Sequence, residues 1–256
     1  MSSRLYRDEA VVLRTHPLGE ADRIITLLTR RHGVVRAVAK GVRRTASKFG
    51  ARLEPFQRVD VQNHRGRSLD TIAQAVTITG YSQRIAQDYD AFTAANAIAE
   101  AVERLTEEGL EVSDQFYMLV LSALHALAGG RLPAGLVVDS FLLRALAIGG
   151  WAPQLGRCAV CGAAGPLVAY DASAGGAVCS DCRTGGAVAV RPKVLEYMIF
   201  LFASDWEHAV DSDDLTREQA GRLIARTVQH HVERPIRALD YVERDQRDDP
   251  HTKGRE

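Results

Sequence analysis

Cysteine is scarce in this chain, and its placement is informative. Four occur in 256 residues, and all lie between Cys158 and Cys182. A framework of disulfides spread through the fold is thereby excluded. Aromatic residues make up only 6% of the sequence. So few flat rings argue against a deep groove that reads bases by stacking. No uncharged apolar run approaches 18 residues, so no membrane-spanning helix is expected. The opening Met1-Ser2-Ser3-Arg4-Leu5-Tyr6 carries no apolar signal region, and a cytoplasmic location is the expectation. The nucleotide-binding and hydrolase motifs G-x-x-x-x-G-K-[ST], G-x-G-x-x-G, G-x-S-x-G and H-E-x-x-H do not stand out either. No catalytic residue is assigned, and an enzyme is not expected. Asp211-Ser212-Asp213-Asp214 reads as the start of a helix, where acids favour the positive dipole end, rather than as a magnesium site.

Net charge is zero, from 32 Lys/Arg against 32 Asp/Glu, but the balance hides a split. Residues 1–68 carry fifteen bases and six acids, a net +9, and the rest of the chain is −9. A basic segment joined to an acidic body points to a polyanion partner.

The basic segment reads as short strands. Ala10–Leu13 is an apolar run, and Pro17-Leu18-Gly19 reads as a turn. Asp22–Thr29 contains β-branched Ile24, Ile25 and Thr26, and Arg30–Gly33 reads as a hairpin turn. Val34–Lys40 alternates, placing Arg36, Val38 and Lys40 on one face. A polar loop over 41–50 precedes further strands at Val59–Asn63 and Leu69–Ile78. Five strands, basic loops and about 80 residues fit an OB-fold barrel.

Arg36, Lys40, Arg43, Arg44 and Lys48 place five cations within thirteen residues, followed by Phe49. Arg23, Arg65 and Arg67 lie on other strand ends or loops that a barrel can bring near them. These eight are the candidate nucleic-acid contacts, acting on phosphates without regard to base sequence. Tyr6 and Phe56 are further aromatics that serve either the interface or the core.

From residue 81 the period changes to that of helices. Asp90 is a candidate cap for a helix with Ala91, Ala94, Ala95, Ile98, Val102 and Leu105 on one face. Ser113 opens a second helix, and Ala134–Ile148 is apolar nearly all round, as a central buried helix would be. The apolar helices at 114–128 and 134–148 read first as bundle core; a cleft left between them would suit a short acidic-apolar peptide, with Arg131 and Arg144 as a basic rim. Pro192 starts another helix. Thr216-Arg217-Glu218-Gln219 reads as a capping box for a last one. His230 and His231 near its end read as packing groups rather than ligands.

The cysteines form two C-x-x-C pairs, Cys158/Cys161 and Cys179/Cys182, seventeen residues apart. Two such turns supply four soft thiolates for one tetrahedral zinc ion, and four cysteines leave no open position for water. The expected site is therefore structural. Two disulfides, disfavoured in a reducing compartment, or four ordinary thiols are the alternatives.

The expected architecture is α+β. An OB-fold barrel spans 1–80, and a helical domain spans 81–241 with a zinc ribbon at 156–187 inserted. A charged tail over 242–256 is expected to fray. A zinc-ribbon transcription or RNA-binding factor would share these features, and a hydrolase would have to draw on the acidic cluster.

The segments Gly19–Ile24 (G-E-A-D-R-I) and Lys40–Arg44 (K-G-V-R-R), with Leu53–Phe56, the four cysteines and Arg234–Leu239 (R-P-I-R-A-L), resemble the RecO recombination mediator family. The resemblance runs over residues 3–241. It implies binding of single- and double-stranded DNA and annealing of complementary strands. It also implies contact with the C-terminal tail of the single-stranded-DNA-binding protein SSB, a complex with RecR, and help in loading RecA onto SSB-coated strands. It carries zinc over to Cys158, Cys161, Cys179 and Cys182, and it implies nucleoid association.

Overall fold

The computed structural model describes residues 5–45 and 47–244. Five strands close into a barrel: β1 (Leu5–Leu18), β2 (Asp22–Thr29), β3 (Gly33–Ala39), β4 (Gln57–His64) and β5 (Asp70–Gly80), in the order β1-β2-β3-β5-β4. Only β3 and β5 run parallel, joined at Ala37–Asp70 and Val38–Thr71. This is the OB-fold architecture. Ala10, Val12, Ile25, Leu27, Ala37, Ala39, Val59, Val61 and Ile72 fill the interior, joined by Phe49 and Leu53 from the β3–β4 connection. The opposite faces of β1 and β2, through Val11, Leu13 and Leu28, pack into the helical core. Ala10–Leu13 is therefore buried on both faces, which explains why it reads as a run and not an alternation.

Some sequence expectations shift. The first turn lies at residues 19–21, because β1 continues through Pro17 and Leu18, paired with Arg23 and Asp22. Gly19, at φ +59°, supplies the left-handed conformation the turn needs. Short α1 (Ser82–Ile85) leads to α2 (Tyr89–Glu107), whose cap is Asp88 and not Asp90. Asp88 is extended and accepts the Ala91 N–H at 2.9 Å, whereas Asp90 already lies in the first turn.

Ser113 caps α3 (Asp114–Gly129) as expected, and α4 (Ala134–Ile148) is the central helix, with even Asp139 and Ser140 buried. A three-stranded ribbon follows: β6 (Leu167–Asp171), β7 (Gly176–Cys179) and β8 (Val188–Ala189), ordered β7-β6-β8. Then come α5 (Pro192–Ala203), α6 (Trp206–Val210) and α7 (Asp214–His231). The cap of α7 is Asp213, which accepts the Thr216 N–H at 2.8 Å. The Thr216–Gln219 box is thus displaced, with Thr216 donating its hydroxyl back to Asp213. His231 stacks on Trp151 with ring centroids 5.1 Å apart.

The chain stays packed beyond the boundary expected at residue 241. Val242 is buried, and Arg244 forms an ion pair with Asp139 of α4. Residues 245–256 of the expected tail lie outside the described residues. No described helix is long and apolar enough to cross a membrane.

Candidate nucleic-acid interface and metal centre

Ion pairing sorts the basic residues of the barrel. Arg7 pairs with Asp60, Arg14 with Glu103, Arg23 with Glu54 at 2.9 Å, Arg58 with Glu9 at 2.7 Å, and Arg30 with Asp114 at 2.7 Å. The Arg14 and Arg30 pairs clamp the barrel to α2 and to the start of α3, which uses up their charge. Arg23, one of the eight candidates, is therefore partly neutralised.

The other seven candidates have no acid partner among the described residues. Lys40, Arg43, Arg44, Lys48, Arg65 and Arg67 are all exposed. Lys40, Arg43, Arg44 and Lys48 follow β3, and Arg65 and Arg67 lie on the β4–β5 loop. The loop after β3 is moored at both ends. Arg43 donates to the Gly19 carbonyl at 3.1 Å, and Lys48 donates to the Ala73 carbonyl of β5 at 2.8 Å. Because β5 enters opposite Ala37, the β4–β5 loop with Arg65 and Arg67 lies beside the preceding part of β3.

Arg36 is placed differently. It lines a cleft of about 550 Å³ between barrel and helices, together with His16, Glu103 and Glu107. It stands at the edge of the cationic band, and acids face it. The aromatics move as well: Phe49 and Phe56 are core residues, 1% and 2% exposed. Of the rings considered, Tyr6 alone remains near the surface, beneath Arg65. A surface rich in guanidinium and poor in rings suits phosphate contact more than base stacking.

The four cysteine sulfurs lie within 4.8 Å of one another, and no disulfide joins them. The Cys161 and Cys179 sulfurs are 3.8 Å apart. A tetrahedron with metal–sulfur bonds of about 2.3 Å has edges of about 3.8 Å, whereas a disulfide needs about 2.05 Å. The first knuckle is formed by the Cys158 N–H bonded to Ala163 O and the Gly162 N–H to Cys158 O, with Gly162 at φ +75°. The backbone N–H of Cys161, then that of Cys179, draws the Cys158 thiol down to about 6. Cys182 is held up at about 12, chiefly by hydrogen bonding with the Cys161 and Cys179 sulfurs. Four crowded sulfurs cannot all ionise unaided, and a divalent cation would supply the missing charge.

The ribbon docks on α7. The Tyr170 and Thr227 hydroxyls are 2.7 Å apart in the buried contact, and Gln219 and Arg226 donate to the Ala189 and Gly186 carbonyls.

A second cleft, about 530 Å³, lies over α3 and α4 and is lined by Met118, Leu119, Ser122, Arg144, Ile148 and Phe202. Arg144 sits on it as expected. Arg131 is not among its lining residues.

A closed OB barrel with an unneutralised cationic band, fused to a helical body carrying a four-thiol ribbon, defines a barrel-type nucleic-acid-binding protein. Residues 1–81 match the family described as Recombination protein O N terminal, and residues 86–240 match Recombination protein O C terminal. The chain belongs to the recombination protein O family, whose members are DNA-binding mediators of recombination and DNA repair.

Proposed function

We propose that the protein binds single- and double-stranded DNA through phosphates on the β3–β5 side of its barrel and anneals complementary strands. With RecR it helps load RecA onto SSB-coated DNA in gap and break repair. The observation that carries this reading is the set of exposed cations without acid partners on a barrel whose other side is sealed by helices. Annealing brings two polyanions together. A surface that neutralises one strand's phosphates without engulfing its bases serves that step.

Salt dependence tests the electrostatics. Five exposed contacts, Lys40, Arg43, Arg44, Arg65 and Arg67, give a log–log slope of about −3.5 on single strands. A salt-independent affinity would sink the reading. The double variant Arg43→Ala/Arg44→Ala is expected to reduce that slope to about −2 and to weaken unrelated sequences equally. Unaltered annealing by this variant would place the interface elsewhere.

The cysteine cluster holds one structural zinc ion in this reading, supported by its tetrahedral spacing and all-sulfur donors. The α3–α4 cleft receives the acidic-apolar SSB tail, with Arg144 facing its carboxylates and Met118 and Phe202 its apolar side chains. Arg144→Glu should abolish binding of a tail peptide in fluorescence polarisation while leaving DNA affinity unchanged. Retained peptide binding would exclude this cleft.

A further inference from the structure

The β4–β5 loop is fastened from beneath by one side chain. Tyr6 of β1 lies under Arg65, whose guanidinium carbon is 5.4 Å from the ring centroid. The Tyr6 hydroxyl donates to Asp70 Oδ2 at 2.5 Å and accepts from Asn63 Nδ2 at 3.2 Å. The other oxygen of Asp70 accepts the Gly66 N–H at 2.9 Å. A single carboxylate thus ties the tyrosine to the backbone of the loop. The loop is tight: a Cβ on Gly66 would lie 1.9 Å from the Leu69 carbonyl oxygen.

The same ring reaches the β2–β3 turn. Tyr6 and His32 have ring centroids 4.4 Å apart. His32 Nδ1 is 2.7 Å from Asp8 Oδ2, and that buried carboxylate also accepts the Arg31 N–H at 3.0 Å. Burial first, and the hydrogen bond to Asp70 second, push the Tyr6 phenol up to about 12. It therefore remains a donor at every physiological pH.

We propose that Tyr6 is a positioning residue of the DNA interface: through Asp70 and its ring it sets the β4–β5 loop so that Arg65 and Arg67 meet phosphates. The proposal rests on the DNA-binding reading of that loop. Its physical basis is preorganisation. Two long cationic side chains on a short polar loop lose conformational freedom on binding, and a loop already held in place loses less.

The test is a double-mutant cycle read by DNA affinity in the full-length protein. Tyr6→Phe keeps the ring beneath Arg65 and removes the hydroxyl. It is expected to weaken a single-stranded oligonucleotide by about fivefold, in the range of one lost hydrogen bond. In an Arg65→Ala/Arg67→Ala background the same change should have almost no further effect, because nothing remains to be positioned. Asp70→Ala, which cuts the link from the loop side, should reproduce both results. Hydrogen exchange supplies a readout independent of DNA: the Gly66 amide should lose protection in Tyr6→Phe. An equal fold-loss in both backgrounds overturns the inference, since a general loss of structure would act that way. So does an unchanged affinity of Tyr6→Phe beside a weakened Arg65→Ala/Arg67→Ala protein. Unchanged affinity of Arg65→Ala/Arg67→Ala itself overturns the DNA reading of the loop, and the inference falls with it.

Discussion

Replacing Arg244 by alanine is expected to destabilise the helical domain by about 3–5 kcal/mol, the usual cost of stranding one member of a buried ion pair. Asp139 is fully buried on α4, and its carboxylate accepts from Arg244 Nε at 2.9 Å and Nη2 at 2.8 Å. Two glycines make room for the arginine and its segment. A Cβ on Gly221 of α7 would lie 1.9 Å from Arg244 Nε, and one on Gly135 of α4 would lie 2.5 Å from the Glu243 carbonyl oxygen. The last described residue therefore bridges two core helices. In a domain of this size the loss corresponds to roughly 6–20 °C in melting temperature. Asp139→Asn added to Arg244→Ala should restore part of it, because a neutral amide costs less to bury alone.

The pH dependence of that variant follows from the carboxyl. Burial raises the pKa of Asp139 above its ordinary value, and Arg244 opposes the shift. Without the arginine the rise is larger. A carboxyl whose folded pKa lies above the unfolded one binds more protons in the folded state, so its contribution to stability is lost as pH rises. Arg244→Ala should therefore be closest to the parent protein in acid and furthest from it at neutral pH and above. A difference that does not vary with pH between 4 and 7 would show that Asp139 is not the stranded group.

Removing the metal is expected to have the second large effect. Purified protein should contain one zinc per chain, and Cys179→Ser or a strong chelator should remove it. The ribbon has three short strands and a small core of Cys158, Ala169, Val178 and Cys179 with a few half-buried neighbours. Such a unit does not hold itself together without a crosslink or a metal. Structural zinc in small domains contributes apparent free energies of about 10–16 kcal/mol. Amides of β6 and β7 should then lose their protection from hydrogen exchange, and α7 should loosen where Tyr170 meets Thr227. The barrel interior and the ribbon's own small core are separate clusters that meet only through the helical core between them, so DNA affinity should stay within about twofold. A metal-free protein with unchanged protection would mean that the cluster is not a metal brace. Lost DNA binding would bring the ribbon into the interface.

Much of this was legible in local patterns. The cysteine pairs were readable because ligand spacing is a property of two short turns. The strands and helices were readable from period and from punctuating glycines. Where local signals competed, they misplaced a boundary. Asp88 and Asp90 both suit a cap, and Asp88 takes the role because its backbone is extended. Thr216 lost its role to Asp213, which stands three residues earlier with an extended backbone and accepts the Thr216 N–H.

What the sequence by itself determined was the kind of protein: a +9 segment of short strands, an amphipathic helical body, and a four-thiol ribbon. Only the tertiary structure decided which of those charges remain available. Arg23 is separated from Glu54 by 31 residues, Arg30 from Asp114 by 84 and Arg244 from Asp139 by 105. Tyr6 and Asp70 are 64 apart. No local pattern reports such pairs. Periodicity records which face of an element is apolar, whereas the partner of a charge is set by how the chain returns in space. The helices cover one face of β1 and β2 and take Arg14 and Arg30 into ion pairs, while Lys40, Arg43, Arg44, Arg65 and Arg67 stay exposed and without an acid partner among the described residues.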